Sequence, residues 1–354
     1  MGRHFAVPEW YRFHTMRFRS STVTLAVLVA WCAVLGGCRR VEEPAGDERA
    51  RPTTSSASTA SAVPAPTTPL VAPTQLLTLP SSAYQAALFA DDEAIELLTN
   101  SAAYRLVANE APINRAIDSG FAATVTRKDY VYWARGAIWH EPRIPSKSGG
   151  ERRLAALAEQ PQRIVADIGA EEIALLLRSE GNRYSIAKLE KNRVKTLYTS
   201  PSSIDALTMI GDTLYFVERP AGIAWRIGSV KLSGGTPTFT ADKSGRWPAL
   251  LRGSRDVVYY DGARRDVLRL SLDLQREQTI AKDFICSPLA VTTNVYCSTM
   301  EGIFELSEAG QRRPIVPAPR QLITNLAANS KRLVFISDAG AQGKDQLVVY
   351  TVPL

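Results

Sequence analysis

From about Thr74 to Leu354 the apolar positions come in short alternating or unbroken runs parted by turn residues, with no helical stripe of more than two turns. Runs of that length and period predict β-strands. A repeat overlies them: a polar residue, an apolar pair and then a large, often aromatic side chain recur at 129–135 (DYVYWAR), 212–218 (DTLYFVE), 256–262 (DVVYYDG), 294–299 (NVYCST) and 332–338 (RLVFISD). Weaker members stand at 171–179 (EEIALLLRS) and 91–99 (DDEAIELLT). With Ile95, Tyr132, Leu175, Tyr215, Tyr259, Tyr296 and Phe335 taken as equivalent, the spacings run from 37 to 44 residues, the interval of a four-stranded propeller blade. In each unit the run before the motif, such as Ile204 to Thr208, is the expected inner strand. The motif is the second strand, a run such as Trp225 to Leu232 the third, and a poorer segment the outer one. The expected fold is all-β, a seven-bladed β-propeller; six or eight blades stay open because the first and third units are weak. The last unit supplies only three strands, the third being Gln346 to Val352. Gln75 to Leu79 is therefore expected to add the missing outer strand and remove an exposed edge.

The N-terminus follows a different pattern. Thr22 to Leu35 is uncharged and apolar, long enough for the core of an export signal and short for a permanent membrane helix. Arg17 and Arg19 precede it, the charge order that keeps an N-terminus in the cytoplasm. Translation is expected to start at Met16. Leu35-Gly36-Gly37-Cys38 resembles the lipobox of bacterial lipoproteins, which implies a diacylglyceryl group on the Cys38 thiol, cleavage after Gly37 and acylation of the new amine. Several acyl chains, each adding about 0.8 kcal/mol per buried CH₂, anchor firmly where one would be marginal. The plainer reading is a transmembrane helix in which Cys32 and Cys38 are ordinary apolar-segment cysteines. Arg39 stands where an Asp favours inner-membrane retention in that family, so outer-membrane attachment facing the periplasm is expected. From Arg40 to Pro73 the chain turns to Pro, Ala, Ser and Thr, as in residues 52–69 (PTTSSASTASAVPAPTTP), too poor in large apolar residues to offset its ordering entropy. The expected organisation is signal peptide 1–37, lipidated Cys38 with a linker to 73, and a folded body 74–354.

The repeat motif resembles those of YWTD, NHL and TolB-type propellers, Tyr132-Trp133 and Phe335-Ile336-Ser337-Asp338 coming nearest to YWTD. The likeness spans most of residues 80–354 through one short motif per repeat, and five of seven units depart from it. It implies a fold, not an activity. WD40, kelch and Asp-box signatures are absent.

Composition adds limits. Of the formal charge of +7, residues 1–37 carry +3 (Arg3, Arg12, Arg17 and Arg19 against Glu9), leaving a weakly basic body without a Lys/Arg run; no nucleic-acid partner is expected. Cys286 and Cys297 are the body's only cysteines. A hairpin turning near Val291 and Thr292 would pair them directly across the first two strands of the sixth blade, which fits a disulfide in an oxidising compartment; the alternative is two buried thiols. His140 is the one histidine after the signal, placed in the third strand of the second blade, so no catalytic residue, metal site or cofactor is expected. Asp338 to Asp345 lacks the alternating ligands of a calcium loop. Loops joining second to third strands and successive blades carry Arg135, Arg183, Arg219, Arg264, Arg265, Arg246, Trp247 and Arg320, which could hold an anionic sugar, a carboxylate or an acidic surface, or could simply solubilise the chain. The leading expectation is a lipid-anchored, non-enzymatic binding or scaffolding module for a protein or envelope polymer. The alternative is a lyase- or lactonase-type enzyme with acidic residues and a divalent ion at the channel mouth. A small-ligand sensor would show an apolar channel pocket lined by Trp133, Trp225 or Trp247.

Overall fold

In the computed structural model the chain is described at residues 72–80, 86–117, 122–144, 150–168, 171–220, 222–245, 248–253, 256–287, 289–317, 322–338 and 346–354. The signal run, Cys38 and the linker lie outside these residues. The polypeptide winds through seven antiparallel sheets in chain order. Blade 1 is β2 (Ala86–Ala90), β3 (Ala94–Thr99), β4 (Ala102–Val107) and β5 (Ile113–Ala116), after a first strand β1 (Thr74–Thr78) that belongs elsewhere. Blade 2 is β6 (Ala123–Val125), β7 (Asp129–Ala134), β8 (Ala137–Pro142) and β9 (Arg152–Ala156). Blade 3 is β10 (Arg163–Ala166), β11 (Ile173–Ser179), β12 (Arg183–Glu190) and β13 (Arg193–Ser200). Blade 4 is β14 (Ser203–Ile210), β15 (Thr213–Arg219), β16 (Ala224–Lys231) and an outer position shared by two short pieces, β17 (Thr238–Phe239) and β18 (Lys243–Ser244). Blade 5 is β19 (Leu250–Arg252), β20 (Asp256–Asp261), β21 (Asp266–Ser271) and β22 (Glu277–Ala281). Blade 6 is β23 (Leu289–Val291), β24 (Val295–Thr299), β25 (Gly302–Leu306) and β26 (Arg312–Pro317). Blade 7 is β27 (Ile323–Ala328), β28 (Arg332–Asp338) and β29 (Leu347–Pro353), completed by β1.

From β6 round to β27 each inner strand lies beside the next, β27 lies beside β2, and β6 lies beside β3 of blade 1, so the blades close into a ring. The seam is the one expected: β1 pairs antiparallel with β29, Thr74 opposite Thr351 and Thr78 opposite Val348, and the Leu79 N–H carries the ladder on to the Leu347 carbonyl at 2.9 Å. This is a seven-bladed β-propeller.

The cohesion lies between blades rather than within them. Seven apolar clusters are present among the described residues, each formed from two successive blades: Leu98 with Tyr132, Val131 with Leu175, Leu176 with Phe216, Tyr215 with Tyr259, Val258 with Cys297, Tyr296 with Phe335, and Val334 with Ile95. A sheet buried on both faces needs apolar residues at successive positions, and β3 (AIELLT) and β28 (RLVFISD) show them. Each fully buried large apolar side chain stabilises the fold by about 1.5–3 kcal/mol.

All seven residues taken as equivalent are buried on second strands, yet two are out of step. Ile95, Tyr132, Leu175, Tyr259 and Phe335 face the preceding blade, whereas Tyr215 and Tyr296 face the following one. Phe216 and Cys297 are the residues of blades 4 and 6 that face backward. A strand's side chains alternate, so a slip of one residue crosses to the other face.

The Cys286–Cys297 disulfide is formed, with the Cα atoms 5.1 Å apart. Its strand register differs from expectation. Cys297 stands opposite Leu289, and Cys286 lies ahead of β23 in the inter-blade connection. The hairpin turns at Thr292–Asn294, where the Asn294 N–H meets the Thr292 hydroxyl and the Thr292 N–H the Asn294 carbonyl, so every pair moves three positions along.

Candidate functional site

Antiparallel blades sort their connections onto two faces. The second-to-third hairpins and inter-blade connections occupy one; the first-to-second and third-to-fourth connections occupy the other. β1 runs antiparallel to β29, so the described chain enters at Thr74 on the second of these faces.

Of the arginines read from the sequence, the described ones, Arg135, Arg183, Arg219, Arg264 and Arg265, stand on the first face, and four of these five are tied to a carboxylate. Arg135 and Gly136 take φ of 51° and 70°, the backbone of a primed hairpin turn. The Arg135 guanidinium lies 4.3 Å from the Trp139 ring centre and bonds Glu151, which also accepts the Tyr132 hydroxyl at 2.6 Å. Desolvation works to raise the Glu151 pKa, but the bonds from Arg135 and Tyr132 hold it below the usual carboxylate range. Arg219 ends β15 and reaches Asp205 at 2.5 Å and the Ser203 hydroxyl at 2.9 Å. Burial raises Asp205 in spite of the opposing Arg219. Arg264 holds Glu277 at 2.9 Å and Asp266 at 3.2 Å; Arg265, in a left-handed turn conformation (φ 58°), sits 3.8 Å from Asp283. Arg183 opens β12 as an exposed residue. Arg246, Trp247 and Arg320 lie outside the described residues. The structure therefore distributes Arg135, Arg219, Arg264 and Arg265 among separate carboxylates rather than gathering them around one point.

Of the expected channel tryptophans, Trp225 is buried in the blade 4–5 cluster, edge-on to Tyr259 with ring centres 6.1 Å apart. Trp133 packs in the blade 2–3 cluster and donates its indole N–H to the Leu157 carbonyl at 2.9 Å. They brace different interfaces and do not line one pocket. His140 is half-buried on β8, as expected, with Nδ1 3.1 Å from Asp129. Asp338 ends β28; the loop after it lies outside the described residues. Among the described residues no three His, Cys, Asp or Glu side chains converge as a metal site would require, and no helix is long and apolar enough to cross a membrane.

Two shallow grooves, each of about 650–670 Å³, flank the Gly211–Asp212 turn on the face where the chain enters, one against blade 3 and one against blade 5. On the opposite face, apolar side chains stand in solvent at connection tips: Ile223 (75% exposed), Ile285 (54%), Met300 (94%) and Leu322 (54%). Sequence reasoning passed over these. Their signal was an apolar residue where turn chemistry calls for a polar one, as in Thr299-Met300-Glu301-Gly302.

No family model matches the chain, and no curated protein does. Solved structures similar to it are propellers. BamB from Moraxella catarrhalis is 14% identical over 79% of this chain and 98% of that one, with a TM-score of 0.44. A nidogen/laminin complex is 13% identical over 68% and 97%, at 0.45. PorZ, a surface component of the type-IX secretion system of Porphyromonas gingivalis, is 14% identical over 74% of this chain and 36% of its own, at 0.47. At that identity the likeness is one of fold alone.

Proposed function

We propose that the chain is a lipid-anchored cell-envelope protein whose propeller serves as a binding module for a protein partner, held to the outer membrane through Cys38 and facing the periplasm. The observation that carries this reading is where the described chain joins the ring: β1, the closing strand, begins at Thr74 on one face, and the connections of the opposite face carry exposed apolar tips. The Cys286–Cys297 disulfide supports an oxidising compartment. The run from Arg17 through the lipobox at Leu35–Cys38 supports export and acylation.

The test compares the native chain with Cys38→Ala in bacterial envelopes, by detergent partition and by crosslinking pull-down. The native chain is expected in the detergent phase with a discrete protein partner, and the variant in the aqueous phase. Equal partition of the two would remove the anchor; a native chain that cross-links to no protein would remove the binding role.

A further inference from the structure

The outer strand of each blade has one edge that no other strand pairs among the described residues, and in most blades that edge is cut short. β5 spans four residues, β9, β22 and β1 span five each, β26 carries Pro314 and Pro317, and blade 4 divides its outer position between two pieces of two residues. Short strands and prolines are common protections of an exposed edge. β13 lacks both: it runs for eight residues, Arg193–Ser200, without a proline, and pairs only with β12. The cause is local. Lys191 and Asn192 take φ of 48° and 64°, the two-residue primed turn, so the ladder starts at once with Glu190 opposite Arg193. The bulge at Leu197 has counterparts at Leu154, Ile280 and Ile315 in β9, β22 and β26, so it does not set β13 apart.

Charge concentrates on the same hairpin. Residues 183–200 hold Arg183, Lys188, Lys191, Arg193 and Lys195 against Glu190, a net +4, equal to that of everything after residue 37. Lys188 stands directly opposite Lys195, and the two share Glu190 at 3.3 and 3.9 Å. Like charges facing each other across a ladder destabilise it, so the hairpin carries a repulsion that its own fold does not require. Among the described residues Arg183, Lys191 and Arg193 meet no carboxylate, in contrast to the other described arginines of the blade connections. The nearest acidic residues outside the hairpin do not serve the edge. Glu172 and Asp212 line the groove beside Lys188 and Glu190; Glu172 lies ahead of β11, across β12 from β13, and Asp212 is held by Lys231 at 2.8 Å. The neighbouring outer strand β9 adds Arg152 and Arg153.

The side chains of β13 alternate. Val194 packs with Leu154, Leu157 and Leu189 in the blade 2–3 cluster, which puts Arg193 and Lys195 on the other face, both exposed. A strand laid along this edge meets two basic side chains on one face and an apolar one on the other, and takes up the main-chain groups that β12 leaves unpaired. We infer that β13 is a docking edge for an extended acidic segment of a partner protein, which adds to blade 3 as a fifth strand with carboxylates alternating with apolar side chains. A second copy of the chain is a poor occupant, because pairing β13 with itself sets basic residues against basic residues. A polyphosphate or an anionic membrane answers the charge and leaves the backbone edge unpaired. The inference deepens the binding-module reading and rests on it, placing the contact at the rim of the ring.

To test it, the purified full chain is titrated with an end-capped peptide alternating glutamate and valine, about as long as β13. Three comparisons accompany it: the same peptide with lysine for glutamate, the same peptide N-methylated at alternate amides, and the Arg193→Glu/Lys195→Glu chain, whose two exposed changes are expected to leave thermal unfolding unaltered. The expected result is binding of the glutamate peptide, weakened about tenfold or more in each comparison and weakened by salt. Hydrogen exchange should show new protection in β13 and none in β9, β22 or β26. No binding of the glutamate peptide, equal binding of its methylated form or by the charge-reversed chain, or protection at another edge would each overturn the inference. So would polyphosphate or phosphatidylglycerol vesicles binding more tightly than the peptide. This titration involves neither Cys38 nor the pull-down. Its failure would remove the edge and leave a partner captured from envelopes standing, whereas a pull-down without a protein partner would remove the binding role and leave the peptide result as measured.

Discussion

Two buried arginines show how one residue type acquires opposite energetic meaning from its surroundings. Arg143, just after β8, donates to Glu96 at 2.6 and 3.0 Å and to Asp91 at 2.5 Å, and so locks blade 2 to blade 1. Burial lowers its pKa, but the Glu96 charge and the Asp91 and Glu96 bonds outweigh that and raise it. Arg332, at the start of β28, is equally buried, yet its one bond is from Nη2 to the Leu106 carbonyl across the seam, and its Nε has no acceptor among the described residues. Desolvation alone acts on it and lowers its pKa. Breaking a paired buried charge leaves its partner uncompensated, whereas removing an unpaired one relieves desolvation. Arg143→Met is therefore expected to destabilise by about 3 kcal/mol and Arg332→Met to stabilise by about 1 kcal/mol, as read by urea unfolding. A second residue-scale prediction concerns pH. Burial pushes the Glu218 carboxyl upward, but bonds from Ser200, Tyr198 and Arg226 bring it below its ordinary value. A depressed carboxylate contributes stability that is fully present above the unfolded pKa of about 4.3 and is lost as pH falls through the folded value. Native stability should fall on acidification below about pH 4.3. Glu218→Gln, less stable at neutral pH, should show a shallower fall; parallel curves would show that Glu218 is not a source of the acid sensitivity.

At the scale of elements, legibility followed what each level of pattern encodes. Apolar runs and their forty-residue recurrence marked all seven second strands, because each strand must bury both faces against neighbouring blades and so repeats that demand in sequence. Face was harder to read than position. In 212–218 (DTLYFVE) the adjacent Tyr215 and Phe216 are both large and both buried, so composition could not say which points backward. The disulfide was legible as a pair, but its register rested on where the hairpin turns, and Thr292-Thr293-Asn294 moved that point by hydrogen bonds a spacing argument does not contain. The described arginines were legible as residues of one face; the carboxylate partners of Arg135, Arg219, Arg264 and Arg265, brought from positions up to 18 residues away, were not. Blade 4 shows an interaction of the same hidden kind. Its third strand carries Gly228, where a Cβ would lie 2.5 Å from the Phe216 ring and 2.7 Å from that of Phe239, two aromatics packed edge to face with centres 5.8 Å apart. Phe216 is fully buried and cannot retreat. Gly228→Ala is thus expected to cost about 1–3 kcal/mol in place of the gain that removing a strand glycine ordinarily brings, and thermal denaturation of the two chains decides between these signs.

Among the described residues the ring is held by a circle of seven interfaces, and a circle has no terminal repeat. Every blade, including the first and last, is flanked on both sides, so losing any one interface exposes two apolar faces at once. That couples the blades and predicts one cooperative unfolding transition despite the repetitive build. The coupling depends on the seam, where β1 contributes the outer strand of blade 7 and Leu79, just beyond it, is buried with Ile95, Val334 and Val349 in the cluster that joins blade 7 to blade 1. Leu79→Ala removes buried methylene and methyl groups at the one interface the chain cannot reinforce by continuing through it, for an expected cost of about 2–5 kcal/mol. The more informative effect is on cooperativity. With the seam weakened the ring becomes an open array whose end blades are free to unfold ahead of its middle, so the native single transition in urea should broaden and its apparent slope fall. Hydrogen exchange locates the change: amides of β29 and β3 should lose protection before those of β15 and β20 on the far side of the ring. Uniform loss of protection around the circle, with an unchanged slope, would mean that the blades are coupled by something other than closure at β1.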